Sequence, residues 1–215
     1  MHDFHNPSPN TNDVDEGFSD DLKRCIAFHG HLCPGLTYGY MVATEALTRL
    51  PLTRSTDEEV VAISENDTCA VDALQVLLGT TTGKGNLLVR NYGKNVFTIF
   101  GRKSRQAMRF SRKRNYVYEG PEPEEFAALE EAYRKGRATA AQRNRQKWLK
   151  TLDLLAKPID KVFVTQPVPC PDLPYAPLAP SKPCSRCGEM TMATKLIDRG
   201  DGNLLCIPCA EQTAL

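Results

Sequence analysis

Seven of the seventeen residues from Pro167 to Pro183 are proline, and no other feature of the chain restricts its folding so sharply. Each proline fixes φ and removes a backbone donor, so the stretch cannot enter a helix interior or the middle of a sheet. It is expected to be an extended, semi-rigid linker (residues 167–183) between two separately folded parts. The larger part, residues 18–166, is long enough to bury a core. The smaller, residues 184–215, is too short to do so and needs another source of stability.

That source is written in its cysteines. Cys184-Ser185-Arg186-Cys187 is followed, eighteen residues on, by Cys206-Ile207-Pro208-Cys209. Each Cys-x-x-Cys turn delivers two thiolates to one ion, and two such turns complete a closed tetrahedron, so a structural zinc ribbon is expected. An iron site or a dithiol redox pair is the alternative, and it fits less well because four sulfurs leave no open position. The metal would supply much of the folding energy of so small a segment.

In the larger part the apolar spacing alternates between helical and strand periods. Ser19 reads as the N-cap of a helix carrying Leu22, Cys25, Ile26 and His29 on one side, with Cys25 as plain core. Pro34 opens a second helix that ends near Leu50. Glu59 to Ser64 reads as a strand, and Ala70 to Leu78 as a helix closed by Gly79. Strands follow near Leu87 to Asn91, Val96 to Phe100 and Gln106 to Phe110. Helices are expected at Glu124 to Tyr133 and Thr139 to Ala156, hinged at Gly136, and a strand at Lys161 to Gln166. The second of these helices places Trp148, Leu149, Leu152 and Leu155 on one stripe, a core or dimer face. This order predicts an α+β domain with helices packed on a mainly antiparallel or mixed sheet.

The formal net charge of +1 hides segregation: Arg102 to Lys150 holds fourteen Lys/Arg against six Asp/Glu, while Met1 to Asp21 holds six acids and no Lys or Arg. Residues 1–17 read as a disordered acidic tail. That tail is the simplest partner for the basic region; a nucleic acid or an anionic subunit is the alternative. The run Arg102, Lys103, Arg105, Arg109, Arg112, Lys113, Arg114, with Phe110, Tyr116 and Tyr118 nearby, suits phosphate contacts and base stacking, and equally a solvated edge strand and loop. No apolar run approaches the roughly 18 to 20 residues of a membrane span, and the start lacks the pattern of a signal peptide, so a cytoplasmic location is expected.

Chemistry is concentrated in Phe28-His29-Gly30-His31-Leu32-Cys33-Pro34-Gly35, which holds the only two histidines outside the N-terminal tail. Imidazole and thiolate are the usual ligands of zinc and its neighbours. Cys33 lies at one expected helix start and Cys69 at another, where amides and the helix dipole favour thiolate. Two helix starts meeting across a strand would join His29 or His31 to Cys33 and Cys69 in an open site for zinc or iron, with a position left for water or substrate. The alternative is a buried cysteine beside a histidine that caps a helix. Gly79 to Lys84 has the look of a phosphate loop but is one residue short and lacks the following Ser/Thr, so a glycine turn is the better reading.

His29-Gly30-His31-Leu32-Cys33-Pro34-Gly35, Cys69 to Gln75, Gly83-Lys84-Gly85-Asn86-Leu87 and Asn91-Tyr92-Gly93-Lys94 occur in an order that resembles the FmdE family, named for one of the subunits of formylmethanofuran dehydrogenase. The resemblance spans about residues 18 to 165, and the terminal cysteines look like the zinc-finger appendage of many members. It implies a fold like the GAPDH catalytic domain, a homodimer, and metal residues at His29 or His31, Cys33 and Cys69, with Asp72 and Lys84 as neighbours. It also implies an accessory subunit of a larger enzyme complex or a stand-alone relative. Where the family commonly has Gly-Cys-Thr, this chain has Gly79-Thr80-Thr81, which speaks against dithiol chemistry. The expected function is Lewis-acid action on a small anionic or carbonyl-bearing substrate, with Lys84 positioning it and Asp72 orienting a ligand. The competing expectations are a metal-responsive or accessory protein that docks a protein or nucleic-acid partner through the ribbon and basic surface, and a metal store.

Overall fold

The structure is a computed structural model and describes residues 17–113, 116–200 and 202–212. The acidic tail expected at the start lies, up to Glu16, outside the described residues. The chain forms two compact units divided between Asp172 and Leu173, inside the proline-rich stretch.

In the first unit, α1 (Asp20–His29) is capped by Ser19, whose Oγ accepts the Leu22 N–H at 3.3 Å. Gly30 ends it at φ +91°, a left-handed conformation that glycine adopts without penalty. After this turn come α2 (Pro34–Arg49), β1 (Val60–Ser64) and α3 (Ala70–Leu78), then β2 (Leu87–Val89), β3 (Val96–Gly101) and β4 (Ala107–Arg112). Helices α4 (Pro123–Arg134), α5 (Ala140–Ala156) and α6 (Ile159–Val162) precede β5 (Phe163–Val168). The five strands lie in the order β2-β1-β3-β4-β5, with β1 and β2 parallel and every other neighbour antiparallel. A mainly antiparallel α+β domain is therefore what the chain builds.

The core lies where helices meet sheet: Leu36 and Val42 of α2 and Leu74 and Leu78 of α3 join Phe97, Ile99, Phe110 and Phe163 from the strands. Helices α2 and α3 approach unusually closely. A Cβ on Gly39 would stand 2.0 Å from the Ala70 carbonyl oxygen, and one on Gly35 would stand 3.0 Å from Cys69 Cβ. These two glycines, one helical turn apart, let the starts of the two helices touch.

Two expectations are corrected here. The basic run does not form an edge strand, because β4 is paired on both sides, with β3 and β5. Its charges are partnered within the unit: Arg102 binds Glu58 at 3.1 Å, Arg109 binds Glu65 at 3.5 Å, and Lys113 donates to the Asp160 carbonyl. On α5, capped by the reciprocal Thr139–Gln142 bonds, the buried face carries Gln146, Leu149, Asp153 and Leu154, while Leu152 is 38% exposed. Asp153 tolerates burial because the Tyr116 hydroxyl, the Glu119 N–H and Lys157 all donate to it. Pro167 sits opposite Met108 on the outermost strand, where a missing N–H costs nothing to a further neighbour.

The second unit consists of two small hairpins, β6 (Ser181–Pro183) with β7 (Met190–Met192) and β8 (Leu196–Asp198) with β9 (Leu204–Cys206), followed by α7 (Ile207–Glu211). Its buried cluster is Cys184, Cys206 and Cys209 with Leu196 and Leu205 packed against them. No helix among the described residues is long and apolar enough to cross a membrane.

Candidate metal centre

The turn at Gly30 folds the chain back at the end of α1, so that the His29 and His31 rings lie 4.5 Å apart between centroids. Cys33 follows as the N-cap of α2 and accepts the Leu36 N–H on Sγ at 3.4 Å. One ligand atom from each of His29, His31 and Cys33 falls within 4.8 Å of the others. Three residues from a single turn thus form the cluster, because the chain reverses between them.

Asp72, from the first turn of α3, reaches His29 across 43 residues with Oδ2 2.7 Å from Nδ1. A carboxylate there fixes the proton on Nδ1 and leaves the Nε2 lone pair free. His29 Nε2 points to Cys33 Sγ at 3.7 Å. With metal bonds of about 2.0 Å to nitrogen and 2.3 Å to sulfur, a tetrahedral ion separates two such ligands by about 3.5 Å, so the pair fits one ion. The second carboxylate oxygen of Asp72 accepts from Gln75 Nε2 at 3.2 Å, which holds the group in place.

Cys69 stands beside this cluster but outside the mutually close trio. Its sulfur lies 3.5 Å, and that of Cys33 3.8 Å, from the position a Cβ on Gly35 would take, so both face the same small space. Cys69 itself has αR backbone angles and makes no side-chain cap, unlike the expected helix-start thiolate. At Cys33 burial pushes the thiol pKa up, the Leu36 amide opposes this, and neighbouring Cys69 adds to it. A helix start alone therefore does not produce a thiolate there; a cation would have to supply the stabilisation. Partial burial, His29 and the Lys147 ammonium hold the pKa of His31 below its ordinary value, which keeps its imidazole neutral and ligand-competent.

Lys84 is not brought to this cluster. Its amine donates to the carbonyls of Ser55 and Thr56, at 3.3 and 3.2 Å, beyond the Gly79 end of α3. Asp72 lies at the opposite end, and nine helical residues span roughly 13 Å. The glycine-rich loop is structural: fully buried Asn86 accepts the Thr81 N–H and donates to the Val60 carbonyl. The cation whose field reaches the histidines is Lys147 of α5, which the sequence does not single out because it sits on an ordinary amphipathic helix.

In the second unit the four cysteines present Sγ atoms all within 4.8 Å of one another, and Cys187 and Cys206 sulfurs are 3.8 Å apart. That separation equals the edge of a tetrahedron with metal–sulfur bonds of about 2.3 Å. Backbone N–H groups of Cys187 and Cys206 lower the pKa of Cys184 to about 6, as expected of a turn built to hold thiolate.

The fold and these two clusters define a two-part protein with candidate metal sites in both units. The chain belongs to the FmdE family, described as "FmdE, Molybdenum formylmethanofuran dehydrogenase operon", whose profile matches residues 28–164. Among solved structures it is similar to an FmdE-like protein, of the tungsten formylmethanofuran dehydrogenase type, from Syntrophus aciditrophicus, with TM-score 0.58, 22% identity, and 90% and 92% of the two chains covered. It is also 30% identical, over 88% of its length, to a probable S-adenosyl-L-methionine-binding protein of Archaeoglobus fulgidus. The chain spans about half (52%) of that relative.

Proposed function

We propose that the larger unit binds a catalytic or sensing metal ion through His29, His31 and Cys33, with Cys69 beside it and Asp72 orienting His29, while the four C-terminal cysteines hold a structural zinc. The observation that carries this reading is the Asp72–His29–Cys33 alignment, a carboxylate bonded to one imidazole nitrogen while the other faces a thiol 3.7 Å away. Carboxylate–imidazole–metal relays have this form. Two thiols and two imidazoles suit zinc or ferrous iron. With three or four protein ligands and His31 exposed at the surface, a coordination position remains for a small anionic or carbonyl-bearing substrate. A metal in such a place polarises a bound oxygen as a Lewis acid. Lys147 supplies positive charge on the same side, the role that the sequence suggests for Lys84.

Metal content by elemental analysis tests the reading. Wild type should hold two ions per chain, His29→Ala and Cys33→Ser one each. Two ions in both variants would overturn the core site.

A second reading takes its support from the Archaeoglobus relative, whose printed name is for S-adenosyl-L-methionine binding. Equilibrium dialysis with that compound tests it directly. The homodimer and the place in a larger complex belong to the same proposal. The half-buried Trp148 and Leu155 with exposed Leu152 form an apolar stripe on the outer side of α5, and sedimentation measures the association.

A further inference from the structure

A cleft separate from both cysteine clusters lies where the end of β4 meets α2 and the α5–α6 corner. It is lined by Tyr38, Arg112, Lys113, Tyr116, Lys157 and Lys161, and offers about 20 Å³, room for one water or one compact ligand group. Four of its six named side chains are cations. Lys157 is compensated by Asp153 at 2.5 Å and Glu119 at 3.3 Å. Among the described residues Arg112, Lys113 and Lys161 have no carboxylate partner. The Arg112 guanidinium lies 5.2 Å from the Tyr38 ring centre, the Lys113 amine is on the Asp160 carbonyl, and Lys161 is exposed. Lys150 and Lys157 add positive charge on the Tyr116 ring, at 4.6 and 5.3 Å from its centre.

Tyr38, 5% exposed, carries a buried hydroxyl with no hydrogen-bond partner among the described residues. Such a group is costly to leave unpaired, and its burial pushes the phenol pKa up, so it remains a donor. Like charges crowded round an unpaired donor are unfavourable unless an anion joins them.

We propose that this cleft binds a compact oxyanion group, a phosphate or a carboxylate, held by Arg112, Lys161 and the Tyr38 hydroxyl, with the remainder of its carrier in solvent. A planar guanidinium beside a hydroxyl donor matches either oxyanion. The site lies apart from the metal cluster: Tyr38 is five residues along α2 from Cys33, about 140° round the helix. It requires no metal.

Isothermal titration calorimetry of the metal-loaded full chain with sodium phosphate, and separately with sodium acetate, tests the proposal and tells the two sources apart. One saturable site per chain is expected for at least one anion, weakening with added salt and raising the melting temperature. Arg112→Gln should lower affinity about tenfold or more. Lys161→Ala, an exposed change that cannot disturb the core, should lower it several-fold, and Tyr38→Phe should lower it while raising the melting temperature of the anion-free protein. Absence of saturable binding of both anions overturns the proposal, as does binding that is unchanged in both Lys161→Ala and Tyr38→Phe. An affinity lowered in either of these variants, with metal content retained, supports it.

Discussion

His29 Nδ1 and Asp72 Oδ2 stand 2.7 Å apart although 43 residues separate them in sequence. The contact joins the last residue of α1 to the first turn of α3, and it decides which nitrogen of His29 is left to face Cys33. An aspartate that merely capped α3 would have no reason to reach another helix.

Replacing Asp72 with Asn keeps the shape but removes the charge that fixes the tautomer. Core-site metal affinity should fall by about 10- to 100-fold, while the melting temperature of the metal-free protein moves little. Competition with a chelating indicator measures this, and unchanged affinity would remove Asp72 from the site.

Gly39→Ala puts a methyl group where the Ala70 carbonyl oxygen lies 2.0 Å away, against backbone that cannot yield as a flexible side chain would. Helices α2 and α3 must separate, at a cost of about 1–3 kcal/mol or somewhat more. Because Cys33 and Cys69 are carried at the starts of those helices, the core ion should be lost or weakened while the C-terminal ion stays. Denaturant melts with metal counting check both effects.

Cys184→Ser removes one corner of the C-terminal tetrahedron and the acceptor of the Cys206 N–H at 3.3 Å. The small unit has little besides Leu196 and Leu205 to hold it, so it should unfold, and its ion should leave. Proteolysis should then clip residues beyond Leu173 while the first unit stays intact. Full protection of the C-terminal unit in this variant would mean the metal is not its main support.

Alkaline pH should weaken the first unit. Burial, with Asp21 assisting, raises the Cys25 thiol from 9.0 to about 11. Burial and then Asp153 push Tyr116 well above its ordinary range. The unfolded thiol loses its proton first, so the stability it contributes is fully present below pH 9 and is lost as pH rises towards 11. Urea melts stepped across that window should show falling midpoints, with a shallower fall in Cys25→Ala.

Local structure is legible wherever the chemistry is local. Ser19, Pro34, Gly79 and the Thr139–Gln142 pair mark helix ends through their own side chains or backbone freedom, and the structure puts helix ends there. The place of β4 is not legible, because a strand with alternating arginines reads as an edge until its partners are known. Glu58 and Glu65, which neutralise Arg102 and Arg109, lie 44 residues away. The buried side of α5 is hidden for a related reason: Asp153 is polar by type and becomes buried only once Tyr116, Glu119 and Lys157 arrive to satisfy it.

The sequence by itself determined the α+β order, the break in the proline-rich stretch and the two sets of metal-capable side chains, since each rests on residues close together along the chain. Only the tertiary structure decided which of those side chains share a space. It brought Asp72 to His29 and Lys147 towards His31, set Cys69 beside Gly35, and carried Lys84 away to the far end of α3. Such meetings depend on how closely two helices pack and how a sheet orders its strands, and neither is encoded in the spacing of any one segment.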